Sequence, residues 1–150
     1  MDLLKEIQSP KLQVSKSWEN EKYNSNPNYP EQLSIKCLSG NYVRSKSESF
    51  IDMALTQHGI SFRYECELMI GKTVFYPDFT ILNPNNGLLI YWEHLGMMDE
   101  PEYSRKALYK LNKYIEYGLI PGKNLILTFE SKENPFSYAG AEAALVQLGL

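Results

Sequence analysis

The stretch from Leu88 to Leu95 is almost continuously apolar, and it constrains the fold more than any other part of the sequence. It is far shorter than the ~18 apolar residues that a membrane-spanning helix requires. Turn-forming residues at 83–87 precede it, which is typical of a central β-strand buried on both faces. A second apolar run, residues 125–129, follows after a segment with helical spacing. Because a strand–helix–strand order pairs its strands in parallel, the sequence predicts an α/β fold.

The rest of the hydrophobic pattern predicts the order of the elements. They are a hairpin at 33–44, a helix at 45–58, strands at 62–70, 74–82 and 88–95, a helix at 101–118, a strand at 125–129 and a helix at 138–148. The core is therefore a helix, a three-strand meander, a helix, a parallel strand and a helix. We assign this core to residues 43–150 and an N-terminal arm with a hairpin to residues 1–42.

Three local expectations accompany this assignment. Residues 8–32 are rich in Ser, Asn, Pro and Tyr, which favours turns, so we predict an irregular arm; Met1–Ile7 resembles the tail of a helix. Leu108, Leu111 and Ile115 are expected to form the buried stripe of the 101–118 helix. Glu65 and Glu67 alternate with apolar residues and are expected on the polar face of the strand, solvated or paired with Arg63 or Lys72.

Composition narrows the classes of function. The net charge is −3 and the pI is about 5.4, which is not the electrostatic footprint of a strong non-specific DNA binder. A nuclease remains compatible, because a metal site uses several carboxylates. Cys37 and Cys66 lie far apart and have no metal-ligand spacing. With no signal peptide visible, we expect reduced thiols in a cytoplasmic protein that does not enter a membrane.

Two carboxylates stand where charge is costly. Asp78 lies inside the second predicted strand, and Glu93 lies in the most apolar strand of the chain. A buried ionised carboxylate must be paired or bound to a metal. If the strand register brings the two to one face, they can share a cation, and Mg²⁺ suits a few carboxylates completed by water and phosphate. Glu48, on the first helix, is a third candidate ligand.

Each carboxylate also has a purely structural interpretation. A capping box that begins at Ser45 explains Glu48 by itself. Asp78 follows Pro77 and suits a turn or the edge of a strand. Glu93 suits a buried ion pair with an arginine or a lysine. The three together, in the order helix, strand, strand, favour a shared site.

This order resembles the PD-(D/E)xK nuclease superfamily, over about residues 43–130. The strings at 43–48, 76–81 and 91–96 look like a bacterial branch of it, similar to the very short patch repair endonucleases and to uncharacterised restriction-like proteins. The resemblance implies a restriction-endonuclease-like core with Glu48, Asp78 and Glu93 as metal-binding catalytic residues. It also implies Mg²⁺ or Mn²⁺ as the cofactor and hydrolysis of a phosphodiester in DNA, in restriction, repair or mobile-element processing.

One position departs from the superfamily pattern. The Glu-x-Lys motif would place a lysine two residues after Glu93, where this sequence has Leu95. His94 is a candidate replacement, since the branch that the sequence resembles uses His rather than Lys. A lysine from another element is a second candidate, and an inactive site is the third interpretation. The lysines considered are Lys46, Lys110 and Lys113.

Basic residues supply candidate nucleic-acid contacts. Arg44 and Lys46 precede Glu48, and Lys106, Lys110 and Lys113 share a stripe of the 101–118 helix. A solvated helix face explains that stripe equally well. The alternative function is a catalytically inactive nuclease-fold module that binds nucleic acid or protein. A homodimer and a larger parent protein both stay open.

Overall fold

The computed structural model describes residues 10–150, which form a mixed α/β fold. The predicted α/β class is therefore confirmed. The helices are α1 (Pro10–Asn20), α2 (Lys46–Gln57), α3 (Pro101–Tyr117) and α4 (Tyr138–Gln147), with a short 3-10 helix at Pro30–Gln32. The strands are β1 (Ile35–Lys36), β2 (Tyr42–Val43), β3 (Phe62–Tyr64), β4 (Leu68–Ile70), β5 (Thr73–Phe75), β6 (Phe79–Leu82), β7 (Leu89–Leu95) and β8 (Leu125–Phe129).

A four-stranded sheet in the order β3-β6-β7-β8 forms the centre. β6 pairs antiparallel with both β3 and β7, while β7 pairs in parallel with β8. The parallel pairing predicted for the apolar runs at 88–95 and 125–129 is confirmed. α3 forms the crossover between these two strands.

Alternation along β7 sends side chains into a separate core on each face of the sheet. Trp92 packs on one face with residues of α2 and α4, such as Leu55 and Leu145. Leu95 packs on the other face with α3 residues, such as Leu111. Because both faces are covered by helices, the strand has to be apolar along nearly its whole length.

Two of the predicted strands are interrupted, which corrects the simple meander. The segment at 62–70 divides into β3 and β4, because Glu65 adopts a positive φ of 49°. The segment at 74–82 divides into β5 and β6 around Tyr76 and Pro77. β4 and β5 pair with each other as a separate hairpin. Glu65 is buried rather than solvated, so that expectation was wrong, whereas Glu67 is half-buried.

The N-terminal arm is more regular than its composition suggests. Part of the segment 8–32 is helix α1, so the prediction of an irregular arm was wrong there. The strongest turn formers are concentrated after residue 24, whereas Pro10 occupies the first helical position, which suits its fixed φ. Arg63 anchors α1: its Nη2 donates to the Trp18 carbonyl at 2.6 Å. The helix expected at Met1–Ile7 lies outside the described residues.

Helix α3 buries a different stripe from the one predicted. Leu111 is buried as expected, but Leu108 and Ile115 are 56% and 52% exposed. The buried face is completed by Ala107 and Tyr114 instead. Among residues 10–150, no helix is long and apolar enough to cross a membrane.

Candidate active site

The helix α2 begins with Glu48 folded back over its own N-terminus. Ser45 caps the helix, and its hydroxyl accepts a hydrogen bond from the Glu48 backbone N–H at 3.2 Å. Glu48 Oε1 in turn accepts from the backbone N–H groups of Arg44 and Ser45, at 3.0 and 3.1 Å. The predicted capping box is therefore confirmed. Tyr64 from β3 adds a fourth bond, its hydroxyl donating to the same oxygen at 2.9 Å.

The start of β6 places Asp78 near Glu93. Phe79, the first residue of β6, is directly opposite Trp92 of β7, so Asp78 and Glu93 each lie one residue beyond this pair. Besides burial, the charge of Glu93 raises the pKa of Asp78, as expected for two carboxylates that lie close together. Asp78 Oδ2 accepts the backbone N–H of His94 at 2.7 Å, which holds this carboxylate against β7.

Helix α3 supplies two partners for Glu93, which is itself only 1% exposed. Lys110 Nζ lies 2.9 Å from Oε2, and the Tyr114 hydroxyl donates to Oε1 at 2.6 Å. Lys110 and Tyr114 are four residues apart and therefore reach the same place from one side of the helix. Leu95 is buried in the core with α3. The positive charge next to Glu93 comes from Lys110 of the same helix.

The candidate site has more acidic than basic side chains. Burial raises the pKa of Asp78 well above its ordinary value, and the charges of Glu93 and Glu48 raise it further, against the opposing effects of Lys110 and the His94 N–H. Burial also raises the pKa of Glu48, despite the hydrogen bond from Tyr64. Burial by itself would lower the pKa of Lys110, but Glu93 and Asp78 more than offset this and raise it. Asp78 therefore lies in the field of two other carboxylates and of one lysine.

The three carboxylates do not form a compact cluster. Within residues 10–150, no group of three or more His, Cys, Asp or Glu side chains is arranged to hold a metal ion. Asp78 and Glu93 are neighbours in the register, whereas Glu48 lies on α2 and bonds to β3. A cation here would have two carboxylates as its nearest protein ligands, with the remaining positions open to water and phosphate, which is a donor set that Mg²⁺ accepts.

His94 points to the opposite side of the sheet from Glu93. Its Nδ1 lies 2.7 Å from Thr128 Oγ1, and its Nε2 lies 2.8 Å from Glu130 Oε1. Glu130 also hydrogen-bonds the Ser47 hydroxyl on α2 and accepts the Phe136 N–H at 3.3 Å. These hydrogen bonds outweigh the effect of burial and lower the pKa of Glu130. The imidazole thus takes part in a network behind the carboxylates, and only its backbone N–H contacts Asp78.

The candidate phosphate-binding residues have different surroundings. Arg44 is engaged within the protein: Nε pairs with Glu65 Oε2 at 2.8 Å, and Nη1 and Nη2 donate to the carbonyls of Tyr29 and Asn28. It therefore fastens the N-terminal arm over the start of α2. Lys46 is exposed, with Nζ 6.0 Å from the centre of the Phe50 ring.

The α3 lysines divide into one inward and two outward residues. Lys110 contacts Glu93, while Lys106 is exposed. Lys113 is partly exposed, with Nζ 3.5 Å from Glu116 Oε2. The structure therefore brings Lys110 to the carboxylates and leaves Lys106 and Lys113 on the outer surface of the helix.

Two residues of the candidate site, Tyr114 and Glu130, were not predicted from the sequence. Tyr114 could have been found from its spacing of four residues from Lys110 on a predicted helix. Glu130 follows directly after a buried parallel strand, and the carboxyl ends of such strands are where polar groups of α/β sites gather. Ser47 and Thr128 had no comparable signal, because their contacts depend on the tertiary fold.

Comparison with known proteins found no relative of this chain. No protein-family model, no curated protein and no solved structure matches the chain.

Proposed function

We propose that this protein is a metal-dependent nuclease that hydrolyses phosphodiester bonds, with DNA as its substrate, on a restriction-endonuclease-like core. The observation that carries the proposal is the position of Lys110, whose Nζ lies 2.9 Å from Glu93 Oε2. The superfamily's lysine is missing two residues after Glu93, and α3 provides a lysine at that carboxylate instead. Asp78 is the adjacent acid in the register.

The order of the elements supports the proposed core. Helix α2 carries Glu48, Asp78 directly precedes β6, and β7 carries Glu93. The crossover helix α3 and the parallel strand β8 follow. This is the order that the resemblance implies, with the β4–β5 hairpin inserted between β3 and β6.

The donor set supports a divalent cation. Asp78 and Glu93 would hold it, and Glu48 would contribute through water or to a second ion. All their donor atoms are carboxylate oxygens, which hard cations such as Mg²⁺ and Mn²⁺ prefer. The excess of acidic groups over Lys110 is the charge imbalance that such a cation would offset. When bound, the cation would polarise the phosphoryl group and lower the pKa of a water.

The chain's own residues have separate tasks in this proposal. Lys110 is the positive group nearest the acids, so it would bind a phosphate oxygen and stabilise the negative charge that develops during the reaction. The Tyr114 hydroxyl donates a hydrogen bond to Oε1, the other oxygen of Glu93, and so fixes the orientation of this carboxylate. The backbone N–H of His94 does the same for Asp78.

An inactive module of the same fold is the second candidate. It is favoured by one observation, that both Glu93 oxygens already have partners in Lys110 and Tyr114. A buried glutamate so satisfied needs no metal to remain in the core. As such a module, the protein would bind nucleic acid or a protein without hydrolysing it.

A cleavage assay separates these candidates. Labelled single- and double-stranded DNA and RNA are incubated with Mg²⁺ or Mn²⁺ and either wild type, Asp78→Asn, Glu93→Gln or Lys110→Gln. These substitutions remove charge but keep hydrogen-bonding groups, so that the fold is retained. We expect metal-dependent cutting by wild type and a loss of at least ~100-fold in each variant, since even outer-shell changes cost 10–100-fold at metal sites.

Lys123→Ala is the matched control, because Lys123 is exposed and lies at the far end of the α3–β8 crossover. It should cut like wild type. Equal activity in all of these proteins would point to a contaminating nuclease, and no activity in a folded wild type would favour the inactive module.

A further inference from the structure

One side of α3 carries exposed residues on both sides of Lys110 that the proposed hydrolysis does not use. Lys106, Lys110, Lys113 and Tyr117 follow one another at intervals of three or four residues and therefore share this side. Lys110 turns inward to Glu93, and the others face outward. Tyr109 lies beside them, with Lys113 Nζ 5.5 Å from the centre of its ring. We call the outward residues Lys106, Tyr109, Lys113 and Tyr117 the α3 stripe.

The aromatic rings of the α3 stripe are open to solvent. Tyr109 is 61% exposed and Tyr117 is 52% exposed. They are eight residues apart, which is about 12 Å along a helix. An exposed tyrosine next to a lysine offers a flat surface for stacking together with a positive charge, which is the combination that binds single-stranded nucleic acids.

Positive charge is concentrated on α3 in a chain that is otherwise acidic. The helix carries four basic residues against two acidic ones, whereas the whole chain has a net charge of −3. Arg105 pairs with Glu102 within the helix, and Lys113 Nζ lies 3.5 Å from Glu116 Oε2. Lys106 and Lys113 lie on either side of Lys110 along the helix, and Lys110 contacts Glu93 of the candidate site.

We propose that the α3 stripe binds a single strand of nucleic acid and leads it to the carboxylates. Bases stack on Tyr109 and Tyr117, Lys113 contacts a phosphate between them, and Lys106 contacts a phosphate one turn before Tyr109. The path of the strand rests on the proposed nuclease function, since Lys110, which lies between Lys106 and Lys113 on this side of α3, contacts Glu93. The binding itself does not depend on hydrolysis.

A duplex fits this surface less well. Its bases are already stacked on one another and cannot stack on tyrosine without being unpaired. Affinity for a duplex depends largely on the number of phosphates that a protein neutralises, and the stripe offers only two outward lysines for this. The α3 stripe should therefore bind unpaired strands in preference to duplexes. Both DNA and RNA offer the bases and phosphates that it would contact.

Fluorescence anisotropy with labelled 20-nucleotide strands in EDTA tests the proposal without any cleavage. Wild type should bind single-stranded DNA, single-stranded RNA or both at least tenfold more tightly than the matching duplex. Tyr109→Ala should weaken binding of the strand about fivefold or more, the loss expected for one stacked base. Lys113→Ala should reduce the steepness of the salt dependence by about 0.7 in log–log slope.

Leu108→Ala is the matched control, because Leu108 is equally exposed but lies on a different side of α3. It should bind strands like wild type, and thermal unfolding should show that all variants are folded. The proposal is overturned if the duplex binds as tightly as the strand, if Tyr109→Ala and Leu108→Ala behave alike, or if wild type binds no strand. If strands bind but are not cleaved in Mg²⁺, the proposed binding by the α3 stripe would stand and the proposed hydrolysis would be excluded.

Discussion

At the scale of the residue, the acidic groups of the candidate site are held in unfavourable surroundings. Burial raises the pKa of Asp78, and the nearby charges of Glu93 and Glu48, with a single lysine to balance them, raise it further. A raised carboxyl pKa means that ionisation of the group opposes folding at neutral pH. Such groups are often kept for function rather than for stability.

Replacing Asp78 by Asn should therefore stabilise the metal-free protein. The folded-state pKa of Asp78 lies above its unfolded value, so the wild type loses stability as pH rises through the folded pKa. The variant does not titrate at this position. The melting temperature of Asp78→Asn should exceed that of wild type at pH 7, by ~2–4 °C for each 1 kcal/mol gained, and the difference should shrink towards pH 4.

Asp99→Asn provides the comparison, since Asp99 is exposed on the loop after β7. Its melting temperature should follow the wild type at every pH. A lower melting temperature for Asp78→Asn at pH 7 would contradict the account, because it would mean that the ionised carboxylate stabilises the fold.

The sequence allowed some of these residues to be predicted. Asp78 and Glu93 were found because a carboxylate in an apolar strand is costly and needs a reason. Lys110 remained one of several alternatives, since nothing local indicates which lysine of a helix turns inward. Alternation along β7 turns the His94 side chain away from Glu93, but its partner Glu130 is 36 residues away and only the tertiary fold brings it near.

At the scale of the element, Glu130 joins three parts of the fold. It bonds His94 on β7 and Ser47 on α2, and it accepts the Phe136 N–H from the loop before α4. Because the His94 backbone in turn holds Asp78, this network connects the helix that carries Glu48 with the strand beside Asp78.

Removing the Glu130 carboxylate should loosen that connection. Glu130→Ala should lower the free energy of unfolding by about 1–3 kcal/mol at pH 7, because buried partners lose their hydrogen bonds. The pKa of Glu130 is lowered in the fold, so its contribution is present above the ordinary glutamate pKa and is lost as pH falls through the folded value. Urea denaturation of Glu130→Ala and wild type should therefore converge at acidic pH.

Two further variants define the role of Glu130. Glu130→Gln should recover part of the stability, since the amide can still accept and donate, and Glu133→Ala, at an exposed position of the same loop, should match wild type. If Glu130→Ala were as stable as wild type at pH 7, the network would not hold these elements together.

Some features of the secondary structure could be predicted from the hydrophobic pattern of the sequence, and others could not. The parallel pairing of β7 and β8 was predictable, because apolar runs joined by a helix leave few topologies. The break between β3 and β4 was not, since a glutamate with positive φ at residue 65 has no local signature. Helix α1 was missed because its sequence adjoins a segment rich in turn-forming residues, and that segment dominates the composition of residues 8–32.

At the scale of the whole molecule, the fold brings acids and lysines together from distant parts of the chain. The central sheet positions Asp78 and Glu93 side by side, and the crossover helix α3 lies over them with Lys110. The same helix presents the α3 stripe on its outer side. One element would thus supply the cation of the site and the surface that guides the substrate to it.

We expect Asp78 and Glu93 together to hold a divalent cation. Isothermal titration of the metal-free protein with Mn²⁺ measures this binding, with wild type, Asp78→Asn, Glu93→Gln and Asp99→Asn compared at pH 7. We predict saturable binding of at least one Mn²⁺ per chain by wild type and Asp99→Asn, and a loss of that binding in Asp78→Asn and Glu93→Gln. Mn²⁺ binding that is equal in all four proteins, or absent from the folded wild type, would contradict it.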